Sequence, residues 1–443
     1  MNPTSEDTEL PSLSSRTDSY LRRLLILLAS ALFFQGYDTQ LFSILLPDIQ
    51  SSFHIGEATL GVAHFVTDLG GFGAFFVGRL ADRFGRRPVL LWSVAVYTVF
   101  TALSAVSWDI WSLTGFQLGA RLFLGAEYAV SITMVVEEFS ARRRGRALAT
   151  LTACSAFGSI AVGVLVGAGL LGSALGWRAF YLIGLLPLAA LTYYRRQISE
   201  SRRFHLVRHE RPARPALLAP WARRYRRNLL LLGLTHLLIG IPHFGALAWL
   251  AFHGEREIGL TTGDIALFLV GAYGLGLSGF FVCGWAMRRF GRRPTALAYG
   301  VGSMVTLVVL YQTTSVVIAF VAMFCAVFGT LGMIPVLAAF DAELFPTEIR
   351  STAVAWIRNV FEASGAAGGP ALVGLLGDHT TGLIGNVGDT VSVLCVLFLP
   401  ALVIIWRFLP ETNGRITEAA DHTALGGHPP DNRVPQQAGT PDA

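Results

Sequence analysis

Gly78-Arg79-Leu80-Ala81-Asp82-Arg83-Phe84-Gly85-Arg86-Arg87-Pro88 sets eleven residues of glycine, charge and one proline between two long apolar runs, and the chain contains this stretch twice. The second copy, Gly284-Trp285-Ala286-Met287-Arg288-Arg289-Phe290-Gly291-Arg292-Arg293-Pro294, begins 206 residues after the first, from 78 to 284. Another pair of landmarks keeps that offset: Glu137 and Arg144 recur as Glu343 and Arg350. A repeat in register fixes architecture before any local assignment does. The chain reads as a duplicated unit.

What is duplicated follows from composition. Of 443 residues, 53% are hydrophobic and 14% charged, with a mean hydropathy of +0.54, far more apolar than a soluble protein of this length. Runs of about 18 or more apolar residues predict twelve spans, near 22–48, 57–80, 88–107, 111–139, 145–173, 177–195, 228–253, 262–287, 294–313, 316–344, 351–377 and 388–409. The expected fold is an all-α membrane protein, two pseudo-symmetric six-helix bundles at 21–195 and 228–409. A linker at 196–227 joins them, and polar tails occupy 1–20 and 410–443.

Charge gives the orientation. The chain has no lysine, so all 34 basic residues are arginine, and they fall almost wholly on one side of the predicted spans. Only Arg178 and Arg256 lie on the other. The positive-inside rule then predicts both termini in the cytoplasm. The arginine-rich loops account for the net charge of +5 without a nucleic-acid partner. Arginine-only basicity with abundant Ala and Gly points to a GC-rich bacterial genome, hence to the inner membrane. Cys154, Cys283, Cys325 and Cys395 are scattered within predicted helices and read as packing residues. No nucleophile–base constellation, metal-spaced cluster or phosphate loop is present, so neither an enzyme nor a cofactor is expected.

The repeated stretch resembles the loop between the second and third helices of the major facilitator superfamily, matching its G-x-L-x-D-R-x-G-R-R pattern; the second copy has Arg288 where Asp82 stands. Glu137 to Arg144 is similar to the E-x-x-x-x-x-x-R element of that family's sugar porters. Ile198-Ser199-Glu200-Ser201-Arg202 resembles their P-E-S-P-R without its prolines, and Pro410-Glu411-Thr412-Asn413-Gly414 their P-E-T-K-G. The resemblance covers almost the whole chain. It implies transport by alternating access of a small molecule, by a monomer in the bilayer. Gly78, Asp82, Arg83, Gly85, Arg86, Arg87, Glu137 and Arg144, with Gly284, Arg288, Gly291, Arg292, Arg293, Glu343 and Arg350, would form the conformational gate.

Intramembrane charges supply the candidate site. Asp38, in Gln35-Gly36-Tyr37-Asp38-Thr39, lies fifteen residues past Arg23, about 22 Å into the membrane. A carboxylate at that depth is costly and by default marks a proton or substrate pathway. Arg121, within Arg121-Leu-Phe-Leu-Gly125 on the fourth span, falls at a similar depth and needs a counter-charge. In the proton-coupled sugar porters an arginine in this context pairs with the first-helix aspartate, so the resemblance implies an Asp38–Arg121 proton-coupling pair. His64 and Asp68 share one face of the second span, with Asp68 either a second pathway acid or an inter-helix tie. Glu127 lies deeper, paired with a neighbouring helix or contributing to substrate choice.

The seventh span offers His236 and His243 where sugar porters have amides, which turns the expected substrate from a hexose toward an organic acid. On the tenth and eleventh spans Asp341, Arg358 and Glu362 add charge. Arg358 and Glu362, one turn apart, either neutralise each other or leave Arg358 to attract a substrate carboxylate, as the aromatic-acid symporters imply. Gln35, Glu127, His236, His243, Arg358 and Glu362 are thus the substrate-binding candidates. The fifth span lacks the Gly-Pro pair of drug antiporters. Proton-coupled uptake of a small polar metabolite is the expectation; proton-driven efflux and a transporter-like sensor are the alternatives.

Overall fold

The computed structural model describes residues 18–186 and 218–411. Helices account for nearly all of them, and among the described residues there is no strand. In the first half these are α1 (Asp18–Ile44), α2 (Leu46–Phe53), α3 (Glu57–Phe84), α4 (Arg86–Ser104), α5 (Ile110–Glu138), α6 (Ala141–Gly167) and α7 (Arg178–Ile183). The second half has α8 (Arg223–His253), α9 (Thr262–Gly276), α10 (Ser278–Phe290), α11 (Arg292–Gln312), α12 (Val316–Glu343), α13 (Thr347–Trp356), α14 (Ala363–Gly377), α15 (Val387–Leu394) and α16 (Phe398–Arg407). Ten helical segments among the described residues are long and apolar enough to cross a membrane, and α3 is a further helix of 28 residues. The predicted span at 177–195 and the linker lie partly outside the described residues.

Packing repeats with the sequence. In the first half α1 packs on α6, and α3 and α4 pack on α5; in the second α8 packs on α14, and α9, α10 and α11 pack on α12. Gly36 of α1 and Gly158 of α6 let that pair cross backbone to backbone: a β-carbon at either would collide with a carbonyl oxygen of the other helix, that of Ser155 or Phe33. Small residues at crossings are what helices in lipid require, because van der Waals contact rather than solvent exclusion holds them.

The repeated stretch is not the loop that the sequence predicts. Helix α3 continues through Asp82 and Arg83 to Phe84, and α4 starts at Arg86, so Gly85 alone makes the turn. Gly85 has φ 107° and Gly291, at the equivalent place before α11, φ 97°, conformations that only glycine adopts without strain. The ion pairs duplicate too. Arg86 Nη2 reaches Glu137 Oε1 at 3.1 Å, and 206 residues on Arg292 Nη2 reaches Glu343 Oε1 at 2.7 Å. Glu411 then places one carboxylate oxygen on the amide of Arg292 and the other on that of Arg293, each at 2.9 Å, closing the N-terminus of α11 where backbone donors lack partners. Arg350 Nε donates to the Phe345 carbonyl at 3.2 Å. Gly78 and the side chains of Asp82, Arg83 and Arg144 lie outside the described residues.

The two halves meet along α3–α14, α6–α9 and α1–α8, and they are fastened at the arginine-poor end. Arg256 Nη1 binds Glu57 Oε1 at 3.0 Å and its Nη2 donates to Gln50 Oε1 at 3.0 Å. The Asp378 carboxylate, just past α14, accepts the amide of Ala58 at 3.0 Å. Helix α3 has no capping side chain of its own, since Gly56 stands at its N-cap; the other half of the molecule supplies the cap. Losing an N-cap costs about 0.5–2 kcal/mol, so Asp378→Ala is expected to raise the population open at this end by about two- to thirtyfold. Faster maleimide labelling of a Leu60→Cys reporter, whose site is fully buried here, would register the change; labelling at the parent rate would show that the cap does not hold the halves together.

Asp48 adds a pH dependence to this end. It lines a cleft of about 430 Å³ with Gln50, Glu255 and Arg256, and burial, followed by repulsion from Glu255, pushes its carboxyl up to about 6. An acid whose pKa is raised in the fastened arrangement favours that arrangement when protonated. Closure should therefore tighten as pH falls through about 6 toward the ordinary carboxylate value. Reporter labelling between pH 5 and 8, divided at each pH by the rate for the same thiol in the denatured protein, should slow on acidification in the parent, and Asp48→Asn should flatten that ratio.

Candidate functional site

Asp38 is 2% exposed, in the last third of α1. The Thr101 hydroxyl of α4 donates to its Oδ1 at 3.0 Å, while its Oδ2 has no hydrogen-bond partner. The expected direct pair with Arg121 is not formed. Arg121, entering from α5, places Nε 3.6 Å from Asp68 Oδ1 of α3 and donates from Nη2 to the Thr39 carbonyl at 3.2 Å. His64, one turn from Asp68, adds its Nδ1 at 3.2 Å from Asp68 Oδ2. The nearer carboxylate neutralises the guanidinium, and Asp38 turns toward α4 instead. Arg121 thus occupies the residue next to Asp38 along α1 while its charge is satisfied elsewhere, an arrangement suited to a partner exchange.

The other first-half candidates divide. Gln35 accepts the Ser155 hydroxyl of α6 at 2.9 Å and joins two helices. Glu127 is fully buried, and its one bond is from the Ser131 hydroxyl of its own helix, at 2.8 Å to Oε1.

In the second half the structure brings four ionisable groups together. His236 Nε2 lies 3.2 Å from Asp341 Oδ1, and its Nδ1 lies 3.4 Å from Glu362 Oε2. Arg358 approaches Asp341 Oδ2 at 3.8 Å and Glu362 Oε2 at 3.6 Å. Histidine and Asp341 are buried, whereas the Arg358 side chain is 37% exposed and that of Glu362 30%. Both arginine and glutamate sit in one π-helical turn, Ile357–Glu362, between α13 and α14; such turns are frequent at functional sites. The contacts of Arg358 are long for ion pairs, so the guanidinium is held loosely, on the edge of the group. His243 stands apart, with Nδ1 3.1 Å from the Thr330 hydroxyl of α12.

The sequence alone assigns no role to Thr101, does not name Asp68 as the partner of Arg121, and does not reveal the fastening by Glu57, Arg256 and Asp378. Arg256 had left a signal, as one of two arginines on the arginine-poor side. Thr101 left none, being one hydroxyl among many.

The chain matches the family model described as Major Facilitator Superfamily over residues 28–370. It is 30% identical over 401 residues to a protein of Cupriavidus pinatubonensis named as a probable 4-methylmuconolactone transporter, covering 88% of this chain and 91% of that one. It is 29% identical over 408 residues to a gentisate transporter of Corynebacterium glutamicum, covering 88% and 90%. Among solved structures it is similar to the inward-open xylose transporter XylE from E. coli, with a TM-score of 0.71 at 17% identity over 91% of this chain and 99% of that one.

Proposed function

This chain belongs to the major facilitator superfamily, and from that premise we propose that it is a proton-coupled symporter that takes up a small organic acid by alternating access. It is a multi-pass membrane transporter and not an enzyme, and its relatives move aromatic and organic acids. The coupling reading rests on one observation: Asp38 is a membrane-buried carboxylate with one oxygen bound by Thr101 and the other without a partner. A carboxylate kept in lipid at such cost and left half satisfied is suited to taking up a proton. The substrate reading draws on the relatives and on the loosely held, partly exposed Arg358. Fastening at the arginine-poor end, cytoplasmic face opposite by the positive-inside rule, supports the picture of two bundles, 21–195 and 228–409, rocking about a site between them. Both termini are then cytoplasmic, and the working unit is one chain.

The test is uptake of radiolabelled gentisate into proteoliposomes under an imposed pH gradient, acid outside. Symport predicts accumulation above the equilibrium level that collapses with a protonophore. Accumulation only under the reverse gradient would establish efflux. Saturable binding without flux would establish a sensor.

A further inference from the structure

We propose that Glu127 is a second proton carrier, receiving the proton that Asp38 releases and delivering it toward the arginine-rich end along the α4–α5 interface, with the Tyr97 hydroxyl between the two carboxylates. The inference rests on Asp38 being the coupling acid, and it gives that proton a way out.

Among the buried polar atoms of this half that have no hydrogen-bond partner, three belong to titratable groups on neighbouring helices: Asp38 Oδ2 of α1, the Tyr97 hydroxyl of α4 and Glu127 Oε2 of α5. A buried polar group left unmatched is costly and asks for an explanation. Helix α4 aligns them. Ser93, Tyr97 and Thr101 are spaced i, i+4, i+8 and so share one face; all three are buried, and Thr101 touches Asp38. Tyr97 belongs to one buried cluster with Leu124 and Val130, which lie three residues before and after Glu127 on α5. On α5, Ser131 continues from Glu127. Since α4 rises from the arginine-rich end and α5 returns to it, these groups form a polar ladder from Asp38 down to the Arg86–Glu137 pair, about 15 Å beyond Glu127. Buried Leu28, Leu32, Val94, Leu124 and Val130 sheathe it.

Two plainer roles for Glu127 fail on the same geometry. A ligand contact needs exposed surface, and Glu127 has none. An inter-helix tie needs a partner on another helix, and its one bond is to its own. The remaining charged or titratable groups around the ladder are His64 and Asp68 of α3, Arg121 of α5, Tyr37 of α1 and Tyr181 of α7. The first three form the closed set already described, and Tyr37 donates to the Phe180 carbonyl. The Tyr97 hydroxyl is hydrogen-bonded to neither carboxylate in this conformation; once it swings within reach of both, it relays in one concerted hop, its oxygen accepting the proton of the Asp38 carboxylic acid as its own proton passes to the Glu127 carboxylate. Asp38 is left ionised, Tyr97 neutral and Glu127 protonated. Release at the arginine-rich end and rotation of the hydroxyl reset the relay.

Gentisate is the transport probe, and infrared pH titration of the purified protein is the measurement that needs no substrate. Glu127→Gln, which keeps shape and the Ser131 contact, is expected to lose about a hundredfold in proton-driven gentisate accumulation, while gentisate counterflow, which requires no net proton movement, falls much less. Tyr97→Phe should slow the driven rate in the same sense. In the infrared titration a carboxyl band that appears and disappears with pH should be absent in Glu127→Gln and present in Asp38→Asn. The relay is overturned if Glu127→Gln accumulates gentisate as the parent does, if driven uptake and counterflow fall together, or if no titrating band depends on Glu127. Loss of the Asp38 band in Asp38→Asn is scored separately, so the relay can fail while the coupling acid stands.

Discussion

Asp38→Asn is expected to exchange gentisate across the membrane and no longer to concentrate it. The amide keeps the size of the side chain and its contact with the Thr101 hydroxyl, but it can neither take nor give a proton. A positioned proton-transfer group contributes about 10²- to 10⁴-fold to its step, so driven accumulation should fall by at least about a hundredfold. Counterflow in preloaded vesicles checks that the fold and the substrate site survive. If the variant still concentrates gentisate under an acid-outside gradient, Asp38 is not the coupling acid. Arg121 sharpens the expectation. In this conformation its charge is answered by Asp68 at 3.6 Å, so ionisation of Asp38 would create a competing partner one residue from the Thr39 carbonyl that Arg121 already holds. Proton loss from Asp38 thereby becomes a pull on α5, which is how titration of one carboxyl can be felt by a helix pair.

The second large effect is on affinity. Arg358→Gln should weaken apparent gentisate affinity by about a hundredfold, equivalent to about 2.7 kcal/mol, within the range for removing one partner of a desolvated charge pair. Arg358→Lys should recover part of it, since a point charge does not offer the two-pronged geometry that a carboxylate accepts. Glu362→Gln should act in the opposite direction. Glu362 lies 3.6 Å from Arg358 and competes with an arriving anion, so neutralising it should tighten binding. Saturation uptake and isothermal titration measure all three. Equal gentisate affinity in Arg358→Gln and parent would remove Arg358 from the site.

Most of the architecture was legible in the sequence because lipid imposes long apolar runs and the offset of 206 residues tied the halves together. Gly85 and Gly291 illustrate both the reach and the limit of that reading. Their equivalence was evident, yet charged residues on either side suggested a loop, whereas helices can continue past the apolar layer and leave the whole turn to one residue. The candidate site was partly legible: Asp38, Arg121, Arg358 and Glu362 stand out because charge in an apolar run is rare. Their partners did not, because which carboxylate an arginine meets depends on how the helices are rotated, and here Arg121 of α5 meets Asp68 of α3 rather than Asp38 of α1. Contacts between halves, such as Ala58 with Asp378, join residues 320 apart and have no local signature.

That last contact bears on how the molecule spends its cycle. The first turn of α3 borrows its finishing group from the opposite half, so parting the halves at this end leaves a helix with a loose start. On the proposed alternating-access cycle, the carrier would be slightly less folded when facing the arginine-poor side than when shut there. In that cycle the tendency of one helix end to fray would act as a built-in restoring spring for the return stroke.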